Sequence, residues 1–465
     1  MDHEVIVVGG GPVGLFLACE LRLAGVSVAV LEQRAERGPH TKAMAVHART
    51  VEQLAMRGLA EPLLTAGVRL PSWHFGFLGT KVDFTGLDSP YPFVLSHPQN
   101  RTEALLEEHA TELGATVTRG EQVTAVSQEN DGVRVESATG TTREAKWVVG
   151  ADGAGSAVRT SAGVAFPGIE PSFYSYLGDV LADSPPPPGF HVVNEHGAMM
   201  VAPMPGGVYR IAGYDPAHQE HDGRREITLD ELRGICERIA GRDFGIHDPL
   251  WLSRFDNTTR VAESYRQGRV LLAGDAAHMH FPAGGVGLNL GLQDAINLGW
   301  KLAAVIQGRA GEELLDSYDT ERRPWGDDVA RHTMAQTALI TATGPEGLAL
   351  RELLSGLLAD FPAVSDRLAR RLAAIDVSYP PADPGAHPLT GTRVAEADLP
   401  DARPVLLSPR PLPHASITAT RLGIRVASGP ATMIVRPDGY VWWATDDDDP
   451  DAAAGEALEN LGVTF

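Results

Sequence analysis

The first thirty residues leave the chain little freedom. Val5-Ile6-Val7-Val8 is a short apolar run rich in β-branched side chains, as in a strand buried on both faces. Gly9-Gly10-Gly11-Pro12-Val13-Gly14 follows at once. Leu15 to Ala24 then has helical character, with Gly25 as a stop just past the helix. Ser27 to Leu31 reads as a second strand and delivers Glu32. This order is a βαβ unit, which commits the chain to a parallel sheet with helices on its faces. Gly9, Gly11 and Gly14 have the spacing a dinucleotide requires. One glycine makes the tight turn, one lets the backbone touch a pyrophosphate, and one lets helix and strand pack closely. The phosphates would sit over Gly9, Gly11, Pro12 and Gly14 at the positive helix N-terminus. Glu32, with Gln33 beside it, stands where a carboxylate accepts hydrogen bonds from a ribose diol.

The remaining chain is organised around that start. Its 465 residues suit about three domains or sub-domains. An apolar share of 43% and a charged share of 21% exclude a disordered or fibrous chain. Arg101 to Leu113 reads as a helix, and Thr116 to Val126 pairs with Val133 to Ser137 across Asn130-Asp131-Gly132. Lys146 to Val149 is a strand leading to Gly150-Ala151-Asp152-Gly153. From Phe166 to Arg269 the texture shifts to short β-like pieces among Gly and Pro turns, a sheet-rich region inserted into the first domain. Val270 to Ala273 returns as a buried strand, Leu288 to Leu302 reads as a helix, and Leu314 to Leu357 is largely helical. A linker at Pro380 to Pro388 precedes a small tail with a hairpin around Pro437-Asp438-Gly439. The expected division is 1–70, 98–165 and 270–378 for a discontinuous nucleotide-binding domain, 71–97 and 166–269 for a substrate-binding sheet domain, and 379–465 for the tail.

Charge and cysteine content narrow the function. The net charge of −21 repels nucleic-acid backbones, so no nucleic-acid partner is expected. Two cysteines far apart, Cys19 and Cys236, are no disulfide framework and suit a reducing cytoplasm. The apolar N-terminus lacks the basic start of a signal peptide, and no run reaches the roughly 18 apolar residues of a membrane span. His278-Met279-His280 lacks a third metal ligand at turn or helical spacing, so no metal is expected. No Gly-x-Ser-x-Gly elbow supports Ser/His/Asp hydrolysis.

A second glycine-rich stretch carries the chemistry. Gly274-Asp275-Ala276-Ala277-His278 leads to Pro282-Ala283-Gly284-Gly285-Val286-Gly287-Leu288-Asn289 at the start of a helix. Free amides of Gly287, Leu288 and Asn289 make an anion site at that helix start. Pro282, Gly284 and Gly285 leave bare backbone just before it, with no side-chain acid or base assigned.

With both motifs and Gly150-Ala151-Asp152-Gly153 in this order, residues 3 to 375 resemble the single-component FAD-dependent aromatic hydroxylases of the para-hydroxybenzoate hydroxylase type. Within them the chain looks most like polyketide hydroxylases and rifampicin monooxygenases. The resemblance implies an α/β fold: a Rossmann-like FAD-binding domain, an inserted β-sheet substrate domain, and a small, shortened thioredoxin-like C-terminal domain. That tail has no cysteine, which rules out redox work and leaves packing or dimer contact. The resemblance assigns Glu32 to the adenosine ribose, Gln99 to the ribityl or phosphate region, Asp152 to the flavin and nicotinamide motif, and Asp275 to the ribityl hydroxyls. Lys42 stands where relatives carry Arg, and Val286 where they carry Gln. Lysine keeps the charge and loses the bidentate fork.

The implied reaction is reduction of non-covalent FAD by NADPH or NADH, capture of O2 as a flavin C4a-hydroperoxide, and transfer of one oxygen to a large aromatic ring. The nicotinamide visits transiently, since there is no second dinucleotide fingerprint. Trp73, His74, Phe75, Phe77, Met199, Met200, Met204, Tyr209, Arg210 and Phe281 are the candidate substrate residues, with Phe75, Met200, Arg210 and Phe281 foremost and Arg210 the polar one. Rival readings on the same scaffold are antibiotic-inactivating rifampicin-type oxygenation and Baeyer–Villiger insertion. Halogenation needs a Trp-x-Trp-x-x-Pro segment that the chain lacks. A non-catalytic FAD-containing binding protein is a more remote rival. The protein is expected to be a monomer or homodimer.

Overall fold

The computed structural model describes residues 3–129, 131–219, 225–381 and 383–464. Strand Val5–Val8 lies at the centre of a six-stranded sheet. Its neighbours are Val28–Glu32 on one side and Trp147–Gly150 on the other, both parallel to it. Thr116–Arg119 extends the sheet beyond the former, and Val270–Leu272 beyond the latter, again in parallel. Arg266–Gln267 closes that edge as an antiparallel strand. The central strands Val5–Val8, Trp147–Gly150 and Val270–Leu272 return to one sheet from distant segments because each is a short, fully buried run with no charged side chain, which is stable only between two layers of helices. The edge strands Thr116–Arg119 and Arg266–Gln267 are polar.

The first helix, Pro12–Leu23, packs against the long helix Gly287–Ile306 through glycines. A methyl group at Gly291 would lie 2.6 Å from a Val13 methyl, and one at Gly299 would lie 2.4 Å from Glu20 Cβ. This close approach fixes the N-termini of both helices relative to the carboxyl ends of the parallel strands. The expected long helical stretch after residue 313 is two helices, Glu313–Thr341 and Pro345–Asp360, because Gly344-Pro345 starts a new helix rather than continuing the old one.

A second, five-stranded antiparallel sheet runs in the order His191–Asn194, Gly197–Pro203, Tyr209–Tyr214, Tyr174–Ala182, Ile246–Asp256. One face buries Tyr176, Val180, Met199, Val201 and Ile211 against helix Leu229–Ala240. That helix has a full capping box, Thr228 with Glu231, and ends at Gly241 in the left-handed region. The other face turns toward the first domain. Strand Val123–Glu129 pairs with Gly132–Ser137 in the hairpin read from the sequence. Asn130 of its turn lies outside the described residues.

The tail carries a four-stranded sheet in the order Arg425–Ser428, Val405–Ser408, Thr432–Val435, Val441–Thr445. Its hairpin turn Pro437-Asp438-Gly439 is driven into the first domain. Arg49 donates to the carbonyls of Asp438, Gly439 and Val394, and Arg57 to those of Pro437 and Leu399. Asp438, Arg436, Glu321, Lys301 and Asn297 form one buried ionic cluster beneath the turn. Burial alone would raise the Glu321 pKa; Arg436 and Lys301 more than reverse this and hold it well below the ordinary carboxylate range. Two cations and two carboxylates balance there, which is the condition under which charges survive in a core.

Arg57 also makes a two-pronged pair with Glu20 at 2.7 Å on each arm, both side chains fully buried. Arg57→Met would leave Glu20 ionised and unpaired in the core. The expected loss is about 3–5 kcal/mol, read as a fall in Tm on thermal unfolding. Adding Glu20→Gln to that variant should recover part of it.

Candidate active site

The glycine turn separates three duties. Gly9 has φ +109°, and a methyl group there would sit 2.2 Å from the Ala151 carbonyl oxygen. A methyl at Gly14 would sit 2.0 Å from the Gly9 oxygen, so helix and strand touch backbone to backbone. Around Gly11 there is open space: a methyl would meet nothing within 4 Å. Gly11 is the N-cap of the first helix, with Pro12 beginning the helix and no side chain capping its free amides. Bare amides at a helix N-terminus facing open space fit a pyrophosphate. Glu32 is fixed at the same turn, accepting from the Gly10 amide at 2.7 Å and the Arg34 amide at 2.9 Å. Its remaining lone pairs suit a ribose diol. Gln33 is exposed beside it.

The second anion site lies at the start of helix Gly287–Ile306, which also has no side-chain cap. The loop before it is locked. Gly284 and Gly285 have φ +77° and +68°, where other residues would be strained. The Gly284 carbonyl accepts from His47 Nε2 at 2.9 Å and from Trp73 Nε1 at 3.1 Å. Asn289 Nδ2 donates to the carbonyls of Gly285 and Ala45, while its Oδ1 accepts from the His47 amide at 2.8 Å. The side chain of Asn289 therefore pins the loop, and its own amide belongs to the uncapped helix start with those of Gly287 and Leu288. Val286 is buried with Ala45, Phe84, Val94 and Leu372, so an apolar side chain there fills core. Pro282 is exposed at the loop's outer edge. His47 and Trp73 were not singled out for this duty by sequence reasoning, since nothing local marks a side chain that bonds a carbonyl more than two hundred residues away.

Burial lowers the His47 pKa to about 4, with the Gly284 bond offsetting part of the effect. The ring is thus neutral and serves as a fixed donor. His278 Nε2 is bonded to Asp294 Oδ2 at 2.6 Å, and Asp294 also receives Arg322 Nε at 2.8 Å and the Gly274 amide at 3.1 Å. Burial pushes the Asp294 carboxyl up, and His278 and Arg322 more than reverse this. The triad fastens the Gly274 turn to the long helix. Among the described residues no group of three His, Cys, Asp or Glu side chains could hold a metal.

The other expected residues have mixed placements. Asp275 is exposed on the 3-10 turn Gly274–Ala276, at the carboxyl end of a parallel strand. Asp152 is engaged in capping: it accepts from Ser156 Oγ at 2.5 Å and from the amides of Ala157 and Val158. Gln99 Oε1 accepts from the Ala43 amide and its Nε2 donates to Glu103. The Lys42 side chain is exposed. Arg210 is buried and spends its donors within the protein, on both oxygens of Asp179 and on the carbonyls of Thr41 and Lys42. It fastens the antiparallel sheet to the segment after Glu32 and has little left for a substrate.

Strand alternation sorts the apolar candidates. Met200 faces the first domain, with Phe77, Ala198, Phe281 and Ala283 in one cluster that Phe173, Tyr214 and Phe255 complete. Phe281 touches Phe173 and Phe255, with ring centroids 5.7 and 5.4 Å away. Met199 and Tyr209 point the other way, toward helix Leu229–Ala240. Met204 lies in the turn before Pro205–Gly207. Phe75 packs edge-on against His332 and among Leu78, Leu339 and Leu358, apart from the Phe281 cluster.

A flavin-type dinucleotide site on a parallel sheet, roofed by an aromatic antiparallel sheet, defines a flavoprotein oxygenase architecture. The chain matches the FAD binding domain family over residues 2–333 and belongs to it; within it, the chain is one of the FAD-dependent aromatic monooxygenases. It is 43% identical to the 12-dehydrotetracycline 5-monooxygenase/anhydrotetracycline 6-monooxygenase of Streptomyces rimosus, covering 95% of each chain. It is 44% identical to the rifampicin monooxygenase of Rhodococcus hoagii, over 81% of this chain and 79% of that one. The solved structure of OxyS anhydrotetracycline hydroxylase from Streptomyces rimosus superposes with a TM-score of 0.87, at 41% identity over 96% of each chain.

Three tests follow from the geometry. Gly11→Ala should fold normally yet lose FAD affinity at least ~10-fold, because the methyl intrudes only on the space a pyrophosphate needs. Gly14→Ala should fail as a protein, seen in soluble yield and Tm, because it clashes with the Gly9 carbonyl. For His47, the unfolded chain binds a proton near the ordinary value of 6.5 and the folded one only near 4. Its contribution to stability is complete above about 6.5 and is lost as pH falls through 4. Tm measured from pH 7 to 4 should fall, and His47→Gln should flatten part of that fall.

Proposed function

We propose that the protein hydroxylates a large aromatic, polyketide- or antibiotic-like compound, using O2 and a reduced nicotinamide. The observation that carries this reading is the aromatic cluster around Phe281, which closes over the Ala283–Gly285 loop from the facing sheet. FAD, when bound, supplies the hydride acceptance and oxygen activation. The chain's part is to hold and orient. The free N–H groups of Gly11 and of the helical turn that Pro12 opens take the pyrophosphate, Glu32 the ribose, and Asp275 the ribityl hydroxyls. The amides of Gly287, Leu288 and Asn289 take negative charge at the ring's pyrimidine end. Gly284 and Gly285, held by His47, Trp73 and Asn289, present backbone free of side chains beside the reactive edge. The aromatic cluster excludes water and receives a flat substrate. Gln99 is assigned to the ribityl or phosphate region and Lys42 to a phosphate. Residues 71–97 and 166–269 serve the substrate, and the tail serves packing, which suits its buried docking through Arg49 and Arg57.

The likeness to a rifampicin monooxygenase favours an antibiotic-modifying variant of the same chemistry. The two readings differ in substrate, and one assay addresses both. The purified protein should be yellow. Its oxidation of NADPH or NADH should rise at least ~10-fold with anhydrotetracycline, rifampicin or another polycyclic phenol, giving a product heavier by one oxygen atom. A protein that stays colourless when FAD is supplied, or one whose nicotinamide oxidation no aromatic compound stimulates, would sink the proposal. Asp275→Asn should weaken FAD binding without lowering Tm.

A further inference from the structure

One imidazole in this region has no task in the fold. His74 lies between Trp73 and Phe77, with ring centroids 5.1 and 4.8 Å away. Trp73 is the residue whose indole N–H holds the Gly284 carbonyl, and its ring edge runs beside Gly285. Phe77 belongs to the Phe281 and Met200 cluster. His74 is therefore placed where the loop and the aromatic cluster meet. It lies deep within the molecule yet keeps some accessible surface. Neither ring nitrogen has a hydrogen-bond partner among the described residues, and Nδ1 is sealed from solvent.

The neighbours make this a matter of choice rather than neglect. His47 has Gly284, His278 has Asp294, His280 has the Phe281 carbonyl, and His191 has the Leu78 carbonyl. Each of these four bonds protein, and His74 does not. Leaving a buried polar atom without a partner costs free energy that a bound group of the right kind recovers. Burial, then His191, His47 and Lys81, lower the His74 pKa to about 3, so the ring is neutral. A neutral imidazole offers one acceptor nitrogen and one N–H. It is too weakly basic to carry off a proton, but it can read a hydroxyl.

We propose that His74 is a substrate-orienting residue, forming a hydrogen bond with a phenolic hydroxyl on the ring that enters deepest. This deepens the function proposed above and rests on it. No covalent step is involved: the hydroxyl proton stays on oxygen and is shared with the imidazole. The consequence is regiochemical. A phenol directs an electrophilic oxygen to the carbons ortho and para to its own oxygen. Anchoring that hydroxyl beside Trp73 brings those carbons toward the Gly284-Gly285 loop.

The test compares three flat probes on the FAD-loaded protein: 2-hydroxyanthraquinone, its 2-methoxy ether and unsubstituted anthraquinone. Binding is read from the perturbation of the flavin absorption spectrum, without turnover. Wild type should prefer the hydroxy probe to the other two by about tenfold or more, the scale of one hydrogen bond whose loss leaves a buried group unpaired. His74→Phe keeps the ring's bulk and removes both nitrogens; it should bind all three probes within about twofold of one another. His74→Gln, which still offers a donor and an acceptor, should restore part of the preference. FAD content and Tm should match wild type in both variants. Retention of the full preference in His74→Phe would overturn the role of His74 and leave the oxygenase reading intact. Failure of wild type to bind any of the three would instead remove the aromatic pocket itself, and both proposals with it.

Discussion

The architecture rests on one contact between two helices. Gly291 and Gly299 of the long helix let it lie directly on Val13 and Glu20 of the first helix. One helix starts at the glycine turn after the first strand, the other at the loop that follows the last parallel strand. Their close packing sets the distance between two uncapped N-termini, and so between the two ends of any extended dinucleotide lying across them. A larger side chain at either glycine would spread the helices and detune both anion sites together.

That arrangement explains how a chain with a net charge of −21 can hold an anionic cofactor. In the binding mode proposed above, attraction comes not from a basic surface but from backbone amides at helix starts, whose dipoles act at close range and are little affected by charges elsewhere. The buried arginines have other work. Arg49, Arg57, Arg210, Arg322 and Arg436 each join segments far apart in the chain, and each spends its planar fork on carboxylates or carbonyls.

How much of this could be read in advance depended on whether the signal was local. The βαβ start, the Glu32 position, the Val270 strand and the glycine loop before the long helix are contiguous patterns, and a handful of neighbouring residues suffices to recognise each. The orientation of Met199 against Met200 needed only strand alternation, but knowing which face was which required the covering helix. Arg210 looked like a free cation because its partners, Asp179 and the Thr41 and Lys42 carbonyls, come from other segments. The same holds for His47, Trp73 and the side chain of Asn289. Their roles are pairings across long sequence separations, and no short window contains both partners.

The hairpin turn Pro437-Asp438-Gly439 has a consequence for biosynthesis. It seats itself among Arg49, Arg57 and Asn297, groups that emerge from the ribosome long before it does. Until residues 437–439 are translated, the two arginines lack several of their acceptors and the Asn297 side chain lacks its Asp438 partner. The nucleotide-binding half of a nascent chain thus waits, incompletely closed, for a turn made more than a hundred residues after its long helix, and a stop codon placed before Pro437 should be as damaging as one in the middle.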